Sequence, residues 1–242
     1  MLTSEKPLCF FVQLGGYQTQ VPGSHSCSGS GPVAWTAPCS VVSDAHEGLK
    51  RVIQEVFQGA AWQRCTVHLM RDCIRAAGSR PLARRVARIV APVFRAKDAD
   101  AVRAMYHVAA DMLEGCCPKA AAVWEDAETD ALAYLDFPAS HWKRLRTNNL
   151  QERTNREIKR RSRVVQVFPS VKSLERLVGA VMCEQDDIWA DSRYFSERKI
   201  SELYEEHAAP KKPDAQEMQR LDAMARKAIE ASLELADRME AA

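Results

Sequence analysis

Apolar positions recur along this chain with two different periods, and the change of period divides it. Ser40, Val41, Val42 and Ser43 form a short run that leads to Asp44, as a buried strand would. Leu49, Val52, Ile53, Val56 and Phe57 then fall at i, i+3, i+4, i+7 and i+8, which predicts a helix with one apolar face that stops at Gly59. Trp62 to His68 reads as another strand. Strand, helix, strand is the unit of a parallel α/β layer, and it puts Asp44 at the C-terminal end of its strand, where open sheets usually carry their chemistry.

From about Arg80 to Ala139 the period is helical. Val86, Ile89, Val90 and Val93 make one face, and Val102, Met105, Tyr106, Ala109 and Met112 another. Pro118 opens a third helix that carries Val123, Trp124, Ala127, Ala131 and Leu135 and ends before Pro138. After Thr147 comes a polar, basic helix, then the Val164 to Phe168 run and Pro169. A further helix follows, with Val171, Leu174, Leu177, Val178, Val181, Met182, Ile188 and Trp189 as the face expected to pack back on the sheet. Beyond Glu197 the chain is charged, and Pro210, Lys211, Lys212 and Pro213 read as a linker into a last amphipathic helix marked by Leu221, Met224, Ala228 and Ile229. Residues 1–35 hold no such period; rich in Gly, Ser and Pro, they are expected to be poorly ordered.

Composition changes this picture in three ways. A hydrophobic content of 46% supports a real core, whereas a net charge of +2 means that attraction to nucleic acid has to come from local clusters of Lys and Arg. Eight cysteines without regular spacing suit reduced thiols in a cytoplasmic protein better than a disulfide framework. The apolar patch at Leu8, Phe10, Phe11 and Val12 is broken by Gln13, Gly15 and Gly16 before it could serve as a signal sequence. No stretch approaches the ~20 apolar residues of a membrane span.

Two places carry candidate chemistry. From its position, Asp44 reads either as the cap of the helix that follows or as an oxygen ligand for a hard cation such as Mg²⁺. The run from Thr147 to Arg161 couples Glu152 to a dense set of cations. Arg153, Arg156 and Arg160 share one helical face that could meet successive phosphates, with Asn155, Lys159 and Arg161 beside them; composition alone allows an ordinary solvated face as well. Cys65 and His68 have C-x-x-H spacing, half of a zinc site at most, since no second pair follows.

Taken together, Val41 to Leu49, Trp62 to His68, Asn148 to Arg161 and Leu177 to Val181 resemble, in order and in spacing, the Mutator-type (DDE) transposases of bacterial insertion sequences. The resemblance covers about residues 40–196. It implies an RNase H-like domain, here an incomplete α/β domain over 37–196 with an all-α insertion at about 78–146. It also implies a charged linker and C-terminal helix over 197–242, and a non-homologous segment over 1–36. In such proteins Asp, Asp and Glu present two Mg²⁺ (or Mn²⁺) ions to phosphodiesters of double-stranded DNA at transposon ends and target. By resemblance Asp44 is the second Asp and Glu152 the Glu, with Cys65 and His68 shaping the site. No Asp precedes Asp44 in the sequence, so the first catalytic Asp has no counterpart and an N-terminally truncated, catalytically incomplete protein is expected. Such a protein would act in a homo-oligomer or in a mixed oligomer with a full-length transposase. The alternative is a non-catalytic DNA-binding remnant that modulates one.

Overall fold

The computed structural model describes residues 12–14, 40–56, 60–191 and 213–241. The expected helix end at Phe57 and Gly59, the linker up to Lys212 and most of residues 1–36 lie outside these. Three strands, β1 (Val12–Leu14), β2 (Ser40–Ser43) and β3 (Ala61–Arg64), form one parallel sheet in the order β1-β2-β3. Helix α1 (Glu47–Val56) makes the β2–β3 crossover and buries Ile53. All four β2 residues are buried, which accounts for the continuous run of small and β-branched side chains there. The α/β expectation therefore stands in a small, helix-rich form.

The strand expected from Trp62 to His68 ends early. Cys65, Leu69 and Cys73 recur every fourth residue and are all fully buried, so this stretch is the inner face of helix α2 (Thr66–Ala76). Gly78, with φ 72°, turns the chain into α3 (Arg80–Val90). A 3₁₀ turn (Val93–Arg95) leads to α4 (Ala99–Cys116), whose Asp98 cap accepts the Ala101 amide at 2.9 Å. The single helix expected after Pro118 is instead α5 (Pro118–Asp126), α6 (Glu128–Leu132) and a 3₁₀ turn (Ala133–Asp136), followed by the short α7 (Trp142–Leu145).

The change from α6 to the 3₁₀ turn has a cause in the sheet. Gln63, fully buried on β3, donates to the Ala131 carbonyl at 2.9 Å and accepts the Tyr134 amide at 2.7 Å, taking groups that a continuous helix would pair internally. Around this anchor the helices close a core in which Tyr106 and Trp124 stack at 4.3 Å, with Phe94 tilted against Trp124 at 5.7 Å. The C-terminal helix α10 (Ala215–Ala241) lies on α3 and α4, with Ala225 and Ile229 buried and Arg88 paired to Asp237 at 2.8 Å.

Helices α8 (Asn149–Val165) and α9 (Val171–Asp191) form a hairpin. Between them Gln166 has φ 61° and ψ −58°, and the Val167 amide reaches back to the Val165 carbonyl at 2.7 Å, a γ-turn with positive φ. Among the described residues the apolar face of α9 that was expected to return to the sheet is mostly open, with only Val181 fully buried. Val171 is 71% exposed and Ile188 59%, and α9 packs on α8.

Candidate functional site

Parallel pairing aligns the ends of β2 and β3, and the Cys65 amide extends the ladder by donating to the Ser43 carbonyl at 2.9 Å. Asp44 and Cys65 are thus neighbours at the C-terminal edge of the sheet. The Thr66 amide and hydroxyl both reach the Arg146 carbonyl, at 3.0 and 3.1 Å, and Arg146 itself hydrogen-bonds the Phe94 carbonyl. These bonds carry the start of α8 to the same edge.

Asn148, buried at the head of α8, is the hub that sequence reasoning left without a role. Its Nδ2 donates to Asp44 Oδ1 at 2.9 Å, its Oδ1 faces the Cys65 thiol at 3.1 Å, and its carbonyl accepts the Glu152 amide at 3.1 Å. The signal for it was its place one helical turn before Glu152. Asp44 accordingly directs its carboxylate across the site to Asn148 and His68; its backbone carbonyl, not its side chain, takes the His46 amide at the start of α1.

His68 stands between the two acids. Its Nδ1 is 2.9 Å from Asp44 Oδ1 and its Nε2 is 3.3 Å from Glu152 Oε1, so one imidazole touches both carboxylates from opposite sides of its ring. The Nδ1 contact lies off the N–H direction, which makes it an electrostatic contact rather than a directed hydrogen bond. Arg71, one turn along α2, adds its guanidinium 3.5 Å from Glu152. Both carboxylates are about one-third exposed at 29%, open to a ligand and to solvent.

Asp44 and Glu152 could share a divalent cation only once the His68 ring that stands between them moves aside. Two carboxylates at a part-open edge are what a Mg²⁺ site needs when substrate phosphate and water complete its shell. Asp44, Cys65 and His68 also place three ligand atoms within 4.8 Å of one another. Cys65, however, is fully buried and burial pushes its thiol pKa up, so it stays protonated and serves as a hydrogen-bonding wall. Strand β1, next to β2, contributes Val12, Gln13 and Leu14, none of them acidic.

The structure divides the basic set on α8. Arg153, Arg156, Lys159 and Arg160 are exposed, whereas Asn155 is half-buried and accepts a long 3.5 Å bond from Gln151. Arg160 and Arg161 both clamp Glu157, at 2.7 and 2.8 Å, and Arg161 also bridges to Glu184 of α9 at 2.5 Å. Arg161 thus joins the two helices of the hairpin.

Residues 39–192 match the model of the transposases of the Mutator family. Over 155 residues the chain is 40% identical to the transposase for insertion sequence element IS1081 of Mycobacterium tuberculosis, covering 64% of this chain and 37% of that protein. It is 35% identical over 155 residues to the transposase for insertion sequence element IS406 of Burkholderia multivorans, covering 64% of this chain and 40% of that one. It is 34% identical over 161 residues to the transposase for IS256 in transposon Tn4001 of Staphylococcus aureus, covering 66% and 40%. The chain thus spans about two fifths of the length of these relatives. No solved structure matches.

Proposed function

Because the chain belongs to the Mutator family of transposases, we propose that it supplies two metal-binding carboxylates, Asp44 and Glu152, for phosphodiester cleavage and strand transfer in DNA transposition. The observation that carries this reading is the meeting of the two acids around His68, although 108 positions separate them in sequence. In this reading the parallel strands with α1 belong to an RNase H-like domain and the helices over about 78–146 are its insertion.

Each group at the site has a part. Asp44 and Glu152 would hold the cation, Mg²⁺ or Mn²⁺, once the His68 ring between them has moved aside, and its charge would acidify a bound water and neutralise the attacked phosphate. Asn148 fixes the Asp44 carboxylate and the first turn of α8. His68 stands between the two acids, and Arg71 brings its positive charge beside Glu152. Arg153 and Arg156, exposed on α8, meet the DNA backbone.

The family's third acid has no counterpart among residues 1–43, which contain no Asp. In this reading cleavage needs a further carboxylate beyond Asp44 and Glu152, such as one supplied in an assembly with a full-length transposase. The second reading, a non-catalytic DNA-binding remnant, is favoured by the exposed α8 cations and by Val12, Gln13 and Leu14 on the strand beside β2. Nicking of transposon-end DNA separates the two. Cleavage that requires Mg²⁺ or Mn²⁺ in the mixed assembly and is abolished by Glu152→Gln in this chain supports the first. Salt-sensitive binding with no contribution to cleavage supports the second.

A further inference from the structure

Between residues 66 and 97 the sequence carries eight Lys and Arg against a single acid, Asp72, although the whole chain has a net charge of only +2. That density exceeds what solubility asks of one helical pair. Helix α2 begins at the candidate metal site, and His68, Arg71 and Arg75 follow at i, i+3 and i+7, so they form one stripe leading away from it. Arg71 is 54% exposed and Arg75 73%. Four residues of helix rise ~6 Å, close to two nucleotide steps of ~3.4 Å along a DNA strand.

Helix α3 follows α2 after Gly78 and packs on it. There Arg80, Arg84 and Arg85 are exposed. Arg84, Arg85 and Arg88 line one side of a cavity of about 530 Å³ between α3 and α10, closed on the other side by Leu233 and Asp237. Asp237 is the one carboxylate in that lining and is already paired with Arg88 at 2.8 Å. Arg80 stands in the first turn of α3, where the helix dipole disfavours a cation and the turn holds no acid. Local helix stability does not favour a cation there.

We propose that α2 and α3 form a second DNA-backbone surface, separate from α8, which leads the duplex from the candidate metal site along Arg71 and Arg75 to the cleft at Arg84, Arg85 and Arg88. It extends the DNA-binding part of the proposed function and does not depend on a metal ion. The test is fluorescence anisotropy of the full chain with a labelled duplex of roughly 30 base pairs and arbitrary sequence, without divalent ions, over about 50–200 mM salt. Replacing Arg84 and Arg85 together by Gln is expected to weaken binding about tenfold and to lower the salt slope by roughly 1.8, at ~0.9 per phosphate lost. The Arg84→Lys, Arg85→Lys pair is expected to keep the slope.

Arg75→Gln, on the exposed face of α2, guards against misfolding of the double variant and is expected to lower the slope by about 0.9. An unchanged slope in Arg75→Gln and in a folded Arg84→Gln, Arg85→Gln protein, beside a lowered one in Arg153→Gln, Arg156→Gln, would overturn the second surface and leave α8 as the contact. Failure of the chain to bind Mn²⁺ would instead count against the catalytic reading and leave this surface standing.

Discussion

The helical body and the α8–α9 hairpin are built from the same kind of amphipathic sequence and end in opposite situations. In the body most apolar faces find a partner: Trp124 is fully buried against Tyr106 and Phe94, and α10 covers α3 and α4 while leaving its Met224 and Leu235 exposed. In the hairpin Val164 and Val167 are 77% and 80% exposed. Polar bonds add to the buried Val181 in holding it, with Arg161 joined to Glu184 and a reciprocal Ser170–Ser173 pair starting α9. The candidate site lies on the seam, with His68 from the body and Asn148 and Glu152 from the hairpin. A periodic apolar face thus states that a helix forms, and not that the partner of the face lies within the same described residues.

This contrast can be broken, most strongly in the body. Trp124→Ala is expected to cost about 3–5 kcal/mol in denaturant unfolding, whereas Val167→Ala should change stability by less than about 0.5 kcal/mol. Equal effects would mean that the hairpin is as buried as the body. Gln63→Leu comes next, since it leaves the Ala131 carbonyl and the Tyr134 amide unpaired in the core, at about 3 kcal/mol. A neutral outcome in the same unfolding experiment would show that these groups find other partners.

The hairpin gives smaller effects. Gln166→Gly is expected to stabilise the chain by about 1 kcal/mol by relieving the positive-φ turn, seen as a raised melting temperature. Glu157 should respond to pH. Hydrogen bonds from Arg160, then Arg161, favour its charged form and bring its pKa down to about 2. A depressed value means a contribution fully present above the ordinary carboxylate range near ~4.3 and lost as pH falls from there toward 2. Far-ultraviolet circular dichroism of wild type and Glu157→Gln should therefore differ at pH 7 and converge in acid, with salt narrowing the gap.

Much of this was legible in the sequence because local pattern decided it. Val86, Ile89 and Val90 are buried as their spacing implies, and the β2 run ends at Asp44 at the sheet's edge. Where pattern failed, a distant partner had decided. Cys65 to His68 read as strand because apolar residues crowd there, until Leu69 and Cys73 complete a helical face. Gln63, 68 positions before Ala131, sets the change from α6 to the 3₁₀ turn. Val12–Leu14 pairs with β2, yet three residues beside Gly15 and Gly16 carry too short a pattern to announce a strand. The two acids were linked by family resemblance; their meeting through His68 and Asn148 needed the structure.

The most direct measurement of the central claim is Mn²⁺ binding to the full chain, followed by electron paramagnetic resonance, in wild type, Asp44→Asn and Glu152→Gln. If these two acids share a cation, wild type binds Mn²⁺ and each variant binds it at least about tenfold more weakly. Binding that is absent from wild type, or equal in all three proteins, would contradict the account.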